Sequence, residues 1–400
     1  MSMRHLQMLR YWIVAIVAVF GAATAARAEP GVTDDEIVIG LFAPLSGPLI
    51  SYGIDPLQMA QLMYEQVNQK GGIHGRKIRV VVEDDHCQPN PLVAAVKKLV
   101  TVDHVFLLHG GACTAAVTAA QEFITREKVP LVMLDAAGDA GVFPPTRYMF
   151  GSFQGTQRVY ASALTEFAAK DLRAKRLAII VHDDDYGNAS LATARAVAAR
   201  QGMQVVAVER IPPNITDVTA PMLNIRAAKP DAIFSGAYPA PAVLIMQKYA
   251  EYGMTAIPVL QAIQGIPTPS VFAKNVGDDA VLRNFYHSWV YDPNNPALQK
   301  WVGTYKARFP GREPGGLMIV AIPSTVSVIA ALEKAGRNLT RERFVEAMET
   351  LDVKHELIVG AIQFGPGRRD AIRSNLVVKF DGKAEKAMPG VYTWNGKDGS

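Results

Sequence analysis

The feature of this chain that most constrains its fold is a repeated alternation of apolar segments with segments of helical period. The first such segments are rich in valine, isoleucine and leucine, and they occupy 36–45, 77–84, 104–110 and 129–136. Strands that are apolar along their length and separated by helices are typical of parallel sheets buried on both faces. This part of the chain therefore predicts a doubly wound α/β unit.

The alternation stops at 143–157 and then restarts, with apolar segments at 176–183, 204–211, 232–238 and 257–262. The chain of 400 residues is longer than one hydrophobic core usually serves. The predicted fold class is therefore α/β, with two doubly wound parallel-sheet lobes. The later part, a strand at 287–292, three helices and a β-rich tail, cannot be assigned to a lobe from periodicity.

The first 28 residues have the pattern of a secretory signal peptide. Arg4 and Arg10 precede and begin an apolar run, and Ala26-Arg27-Ala28 forms a small-x-small cleavage site before Glu29. The apolar run is short for a bilayer span and has no stop-transfer flank. We therefore predict an exported protein that starts near Glu29 and does not span the membrane after processing.

The charge of the chain argues against a nucleic-acid partner. The formal net charge of +4 includes Arg4, Arg10 and Arg27 of the predicted signal, so the remaining chain is close to neutral. A near-neutral chain without a stripe of lysine and arginine has no electrostatic basis for binding nucleic acid. We therefore expect none.

The loops that follow the predicted strands are the places to search for a site, because ligands of doubly wound sheets bind at the carboxyl ends of strands. Tyr52, Tyr186 and Tyr238 each follow a predicted strand in a glycine-containing loop. Tyrosines can stack on a small ligand and hydrogen-bond it, so three from two lobes favour a cleft. Thr114 opens a helix, where its hydroxyl and free N–H groups could hold a carboxylate.

The loop HGGAC, His109 to Cys113, leaves room for other chemistry. A Cys113–His109 dyad needs a free thiolate, but an exported chain with only Cys87 and Cys113 favours a disulfide. His86 with Cys87, His109 and Cys113 could bind zinc, although adjacent residues on a strand end rarely face one ion. The chain contains no G-x-S-x-G, P-loop or G-x-G-x-x-G motif. We therefore expect no enzyme activity, no catalytic residue, no metal and no cofactor.

Several segments together carry a family resemblance: IVIGLFAPLSGPLISYG, VNQKGGIHGRKIRVVVEDDHCQP, HGGACTAAV, LDAAG, LAIIVHDDDYG and DAIFSGAYPA. In their order and spacing the chain resembles the solute-binding proteins of ABC importers of the branched-chain amino-acid type (type I periplasmic binding proteins), over nearly everything after residue 34. The resemblance implies two lobes joined by a three-segment hinge, the first at 35–153 plus 288–362 and the second at 154–287 plus 363–400. It also implies a disulfide between Cys87 and Cys113.

The resemblance also implies roles for individual residues. Tyr52 matches an aromatic that packs on the ligand, Thr114 matches a hydroxyl that holds the carboxylate, and Ala136 matches a residue that offers backbone contacts. Tyr186 and Tyr238 match second-lobe aromatics that cover the ligand on closure. The predicted ligand-binding set is Tyr52, Thr114, Ala136, Ala137, Tyr186, Tyr238 and Gln264.

Two positions depart from the amino-acid binders of this family. Gly138 stands where those proteins usually carry threonine or serine, and Gln264 is the nearest candidate where they carry an acidic residue that pairs with the ligand ammonium. A buried ammonium without a counter-charge costs on the order of several kcal/mol. The sequence therefore predicts a ligand with a carboxylate and no required amine, such as an aromatic or aliphatic acid.

The function that the resemblance implies is that of a periplasmic solute-binding component of an ABC importer. Such a protein captures a small carboxylate-bearing ligand by hinge closure and presents it to the permease and ATPase subunits. Two alternatives stay open at this point. The chain could be an amino-acid binding protein proper, for branched-chain or other amino acids, or a ligand-sensing module of the same fold.

Overall fold

The structure is a computed structural model that describes residues 29–399 apart from 137, 140, 152, 154, 263–265, 267 and 313. The predicted signal peptide at 1–28 lies outside the described residues, and so do Ala137 and Gln264 of the predicted site.

The first sheet is built from the apolar segments at the start of the chain. Its strands are β1 (Glu36–Ala43), β2 (Lys77–Asp84), β3 (Leu107–Gly110), β4 (Leu131–Met133) and β5 (Met149–Phe150), and helices α1 (Ile54–Gln69), α2 (Pro89–Thr101) and α3 (Thr114–Arg126) follow the first three. All five strands are parallel, in the order β2-β1-β3-β4-β5. The order reverses between β1 and β3, so a crevice for ligands is expected at their carboxyl ends.

The second run of strands and helices repeats this pattern. It contains β6 (Arg176–His182), β7 (Gln204–Ile211), β8 (Ala232–Gly236), β9 (Val259–Gln261) and β10 (Phe285–Trp289), with helices α4 (Gln157–Lys170), α5 (Asp185–Arg200), α6 (Thr219–Ala227), α7 (Pro239–Glu251) and α8 (Pro269–Val276). These five strands are parallel to one another. The interior of β6 is buried on both faces because helices cover it, as its valine, isoleucine and leucine residues predict.

A third group of elements packs on the first sheet. Helices α9 (Pro296–Arg308), α10 (Ala321–Ala335) and α11 (Arg341–Glu349) are followed by the short hairpin of β11 (Asp352–Val353) and β12 (Ile362–Gln363). Helix α10 and the 3-10 turn before it form one described stretch, Gly316–Ala335, that is long and apolar enough to cross a membrane. Most of that stretch is buried inside the protein, as in the core helix of a globular domain.

The C-terminal tail completes the second sheet. It forms β13 (Ser374–Phe380), β14 (Glu385–Ala387) and β15 (Tyr392–Thr393). Strand β13 is antiparallel to β10, and both β14 and β15 are antiparallel to β13, so the sheet order is β14-β13-β10-β9-β8-β6-β7. The predicted class of two doubly wound α/β lobes is confirmed, with a second sheet that is mixed rather than purely parallel.

The chain passes between the two sheets three times: after β5, after β10 and before β13. The first and third crossings lie side by side, because the Gly151 N–H donates to the Arg369 carbonyl and the Ala371 N–H donates to the Gly151 carbonyl, each over 2.9 Å. Strand β10 stays in the second sheet as far as Trp289. The lobe limits 35–153 plus 288–362 and 154–287 plus 363–400 stay a prediction.

Candidate ligand-binding cleft

Two glycines and a disulfide shape the loop after β3. A Cβ on Gly110 would lie 2.3 Å from the Phe42 carbonyl oxygen, and Gly111 has a φ of +86°, so only glycine fits this turn. Cys113 is bonded to Cys87, with the two Cα atoms 5.4 Å apart. The predicted disulfide is confirmed, and it engages both cysteines of the chain.

His109, from the same loop, is a buried structural residue. Its Nδ1 lies 2.7 Å from the Tyr64 hydroxyl and its Nε2 lies 3.1 Å from the Ser324 hydroxyl. Because the Ser324 hydroxyl donates to the Ala321 carbonyl, Nε2 carries the proton and Tyr64 donates to Nδ1. Burial lowers the pKa of His109 to about 3, so the ring is neutral and joins β3 to α1 and α10.

The residues weighed as zinc ligands do not form a metal cluster. Cys87 and Cys113 are bonded to each other, His109 is engaged in the core, and Nδ1 of His86 lies 2.8 Å from the Ser46 hydroxyl. In the part of the chain that the structure describes, no group of three or more histidine, cysteine, aspartate or glutamate side chains could hold a metal ion.

Thr114 is the first residue of α3 and is half-buried. The first-turn N–H groups of an α-helix have no acceptor within the helix, and no described side chain caps this one. Gly138 packs directly on Thr114: a Cβ at Gly138 would lie 1.9 Å from Cγ2 of Thr114 and 2.3 Å from its Oγ1. Because Gly138, which departs from the family pattern, has no side chain, the Thr114 side chain has room to occupy this position.

Four tyrosines, Tyr52, Tyr160, Tyr186 and Tyr238, lie near one another, and we refer to them as the tyrosine cluster. The ring centroids of Tyr186 and Tyr238 are 5.3 Å apart, and Tyr160 on α4 lies 6.4 Å from Tyr186. Burial raises the pKa of Tyr52, and the nearby Tyr186 raises it further. The structure thus brings together the three tyrosines that the sequence predicts, and it adds Tyr160.

Asp184 fixes the second-lobe side of the tyrosine cluster. Its Oδ1 accepts the Gly187 N–H at 2.8 Å as the N-cap of α5, and its Oδ2 accepts the Tyr238 hydroxyl at 3.0 Å. One carboxylate therefore caps a helix and orients a cleft tyrosine. Its neighbour Asp183 is exposed and pairs with Arg210 at 3.0 Å.

Asp135 is the cleft residue that sequence reasoning missed. It lies just after β4 with only 4% of its surface exposed, and the N–H groups of Asp135 and Ala136 both donate to the Gly111 carbonyl, at 3.2 and 3.0 Å. Burial raises the pKa of its carboxyl well above the usual range. The only signal in the sequence was an apolar strand ending directly in an aspartate.

The ligand-binding roles stay a prediction for the described members of the set: Tyr52, Thr114, Ala136, Tyr186 and Tyr238. Ala136 is buried beside the HGGAC loop, and the other four lie on loops or helix starts at the strand ends. Ala137 and Gln264 lie outside the described residues.

Two cavities lie away from the tyrosine cluster. One of about 260 Å³ lies beside Trp289 and Tyr291, where the chain leaves β10. The other, of about 550 Å³, is an open groove between α5 and β7. Neither contains a residue of the predicted site.

Two doubly wound lobes, a three-segment connection and a cleft at the strand ends define a two-lobed α/β binding protein. A family model described as periplasmic binding protein matches residues 36–385, and the chain belongs to this family. The predicted resemblance is confirmed, and the family implies a location outside the cytoplasm.

Relatives among known proteins agree with this family. The Leu/Ile/Val-binding protein homolog 7 of Brucella abortus (strain 2308) is 23% identical over 349 residues, which cover 85% of this chain and 86% of the relative. The leucine-, isoleucine-, valine-, threonine-, and alanine-binding protein of Pseudomonas aeruginosa is 24% identical over 339 residues, which cover 84% of this chain and 87% of the relative.

A solved structure is similar over nearly the whole chain. It is a solute binding protein of an ABC transporter from Rhodopseudomonas palustris BisB5 in complex with 3,4-dihydroxy benzoic acid. It superposes with a TM-score of 0.77 at 22% identity and covers 90% of this chain and 98% of its own. At this identity the likeness establishes the fold.

Proposed function

We propose that this chain is the solute-binding component of an ABC importer and captures a small carboxylate-bearing ligand in the cleft between its lobes. The observation that carries the proposal is the meeting of Tyr52, after β1, with Tyr186 and Tyr238, after β6 and β8. Thr114 starts α3 after β3 in the same sheet as β1. With the signal peptide expected at 1–28, the protein would act in the periplasm, where a membrane permease and its ATPase would take over the ligand.

The carboxylate would bind at the start of α3. The helix end carries partial positive charge, its first-turn N–H groups point outward, and the Thr114 hydroxyl adds a donor. Gly138 supports this arrangement, because any side chain there would displace the Thr114 hydroxyl.

The remainder of the ligand would lie against the tyrosine cluster. Tyr52 follows β1 in the first lobe, whereas Tyr186 and Tyr238 begin helices of the second lobe. Hinge closure around a ligand brings such opposing walls together and produces the closed form that a permease can distinguish from the open one. No covalent step is needed for this function.

The relatives support the ligand class and differ on one point. The Pseudomonas aeruginosa relative is named for amino acids, and the Rhodopseudomonas palustris protein was solved with an aromatic acid. Both kinds of ligand carry a carboxylate, but only the amino acids carry an amine. The ligand class is therefore a hydrophobic or aromatic organic acid, or an amino acid.

Thermal-shift and calorimetric titration of the purified protein test the proposal. The panel contains amino acids, benzoates and aliphatic acids, each with its neutral methyl ester or amide. We expect acids to raise Tm and their neutral derivatives to do so far less. Equal stabilisation by acids and esters, or none by any carboxylate, would contradict the proposal.

A pair of threonine variants on one helix locates the carboxylate. Thr114→Val removes the proposed donor and keeps the side-chain shape, so we expect affinity to fall about tenfold or more, as for a lost hydrogen bond to a charged group. Thr118→Val is the matched control, because the exposed Thr118 hydroxyl donates to the Thr114 carbonyl, one turn along α3. If Thr114→Val and Thr118→Val bind the ligand with the same affinity, the Thr114 hydroxyl does not hold the carboxylate.

A further inference from the structure

A carboxylate of the first lobe binds the start of a second-lobe helix. Asp139 lies in the loop after β4, and the nearby Val142 packs in the hydrophobic core of the first sheet. Arg158 lies in the first turn of α4, which packs on β13 and β15 of the second sheet. Nη2 and Nε of Arg158 donate to the Asp139 carboxylate at 2.6 and 3.2 Å. A two-pronged ion pair therefore joins the two lobes.

A third donor completes this contact. Nε2 of Gln157 donates to Oδ1 of Asp139 at 2.9 Å, so three side-chain N–H groups from the first turn of α4 meet one carboxylate. A negative charge at the start of a helix is also favoured by the helix dipole. We refer to Asp139, Gln157 and Arg158 as the interlobe latch.

The surroundings of the latch strengthen the ion pair. The side chain of Arg158 is 10% exposed and that of Asp139 is 24% exposed. The guanidinium of Arg158 lies 5.4 Å from the centroid of the Phe143 ring, and Phe143 contacts Trp394 of the C-terminal tail edge-on, also at 5.4 Å. A forked, charge-assisted contact is stronger in such a site than in open water, and the remaining exposure of Asp139 limits the cost of desolvation.

The latch lies between the two halves of the candidate cleft. Asp139 directly follows Gly138, which packs on Thr114 at the start of α3. On the other side, α4 carries both Arg158 and Tyr160, and the ring of Tyr160 lies 6.4 Å from that of Tyr186. A displacement of one cleft wall relative to the other therefore also displaces the two sides of the latch.

We propose that the interlobe latch sets the balance between the open and closed forms of the protein, with Asp139 and Arg158 as positioning residues. This inference rests on the proposed function, in which closure holds the ligand. Hydrogen bonds weaken steeply once the donor and acceptor separate beyond their usual range, so the latch favours the form in which the lobes are close. A ligand that binds only the closed form has an apparent affinity in proportion to the closed fraction.

This mechanism has a signature that a direct ligand contact lacks. Loss of the latch lowers the closed fraction, and that fraction enters the affinity of every ligand in the same way. Compounds of unlike chemistry should therefore lose affinity by one common factor. A residue that contacts the ligand would instead affect the compounds unequally.

Arg158→Met tests the inference, because it removes the charge and the fork but keeps a long side chain. We expect two unlike compounds that bind the wild type, such as leucine and benzoate, to bind about tenfold more weakly in calorimetry, as for a lost pair of close charges. We also expect the ligand-free variant to have a larger radius of gyration than ligand-free wild type in small-angle X-ray scattering.

Three further variants assign the effect to the latch. Arg200→Met is the matched control, because Arg200 pairs with Asp398 of the tail at 3.0 Å within the second lobe, and Arg158 also donates to the tail at the Gly399 carbonyl. It should keep wild-type affinity and scattering. Arg158→Lys keeps the charge without the fork and should lie between wild type and Arg158→Met. Asp139→Asn should weaken both compounds equally, and combining it with Arg158→Met should add little.

The possible outcomes separate the inference from the proposed function. If Arg158→Met lowers only Tm and keeps wild-type affinity and scattering, the latch is merely structural and the inference is wrong. If the two compounds lose affinity by different factors, Arg158 acts on the ligand and the inference is also wrong. If no carboxylate binds the wild type, the proposed function fails, and the scattering of the ligand-free proteins still decides whether the latch holds the lobes together.

Discussion

Tyr238 stacks on His182 with ring centroids 4.2 Å apart, and its backbone N–H donates to Nε2 of His182 over 2.7 Å. Nε2 is therefore the acceptor, and Nδ1 carries the proton and faces the Ile211 carbonyl at 3.3 Å. Burial lowers the pKa of His182, so the ring is neutral. One buried imidazole thus positions both the backbone and the ring of a cleft tyrosine.

Replacing His182 should weaken ligand binding even though its imidazole acts only through Tyr238. His182→Phe keeps a ring against Tyr238 but leaves its N–H without an acceptor, which costs about 1–3 kcal/mol. We expect a lower Tm and an affinity reduced about tenfold, measured by calorimetry. Tyr238→Phe is the comparison variant, because it keeps the backbone bond and loses only the hydroxyl bond to Asp184. Wild-type affinity and Tm in His182→Phe would show that the imidazole positions nothing.

Acid should destabilise the protein through His109. Its pKa is about 3 in the folded state, against about 6.5 for an unperturbed histidine, so the unfolded chain takes up the proton first as the pH falls. This loss of stability is absent above the unfolded-state pKa of about 6.5 and grows as the pH falls from there toward 3. By pH 5 this group should lower the free energy of unfolding by about 2 kcal/mol relative to pH 7.

Urea denaturation at pH 7 and pH 5 measures this effect. His109→Gln should be less stable than wild type at pH 7, because Tyr64 and Ser324 lose their partner, but it should lose less stability between the two pH values. The exposed His104 gives the control variant, His104→Gln, which should keep the wild-type difference. An identical pH difference in His109→Gln and wild type would contradict the assignment.

Removing the disulfide should destabilise the first lobe. Cys87 and Cys113 are 26 residues apart. Closing a loop of that length lowers the conformational entropy of the unfolded chain and so raises its free energy by about 3–4 kcal/mol. We expect the double variant Cys87→Ser/Cys113→Ser to lose about that much free energy of unfolding in urea. A reducing agent should lower the free energy of unfolding of the wild type to that of the double variant, and it should leave the free energy of unfolding of the double variant unchanged. Thiol titration of the unreduced, denatured protein should find no free cysteine.

A methyl group at Gly138 should disturb Thr114. The Cβ of Gly138→Ala would lie 1.9 Å from Cγ2 of Thr114, so the helix start or the side chain must move. We expect weaker binding of carboxylate ligands in a calorimetric titration. Gly303→Ala is the matched control, because nothing lies within 4 Å of its Cβ position in α9 and alanine favours a helix by about 0.5–1 kcal/mol. Full affinity in Gly138→Ala would remove Thr114 from the proposed site.

The sequence predicted the elements well where the pattern was local. Strands β1 and β6 each coincide with a Val/Ile/Leu-rich segment, because strands buried on both faces need apolar side chains at nearly every position. Strands β2 and β7 also match their predicted segments, but they lie at sheet edges and are mostly half-buried. The disulfide between Cys87 and Cys113 could also be predicted, because two cysteines in an exported chain usually form a disulfide.

Other parts of the cleft could not be read from the sequence. Asp135 looks like an ordinary polar residue at the end of a strand, and His182 looks like the start of a charged turn. Tyr160 lies within a helix, without any loop signal. Their burial and their neighbours depend on residues that are distant in sequence, such as Tyr238, whose N–H donates to His182 across 56 positions.

The sequence by itself therefore determined the α/β class, the family and the helix start at Thr114, because periodicity, glycine placement and motif order are properties of neighbouring residues. Only the tertiary structure decided that His109 is a neutral core residue and that the Asp135 carboxyl lies buried near Tyr52 and Tyr160. Burial and electrostatic environment arise when distant segments pack together, and they set both the pKa values and the charge that a ligand meets in the cleft.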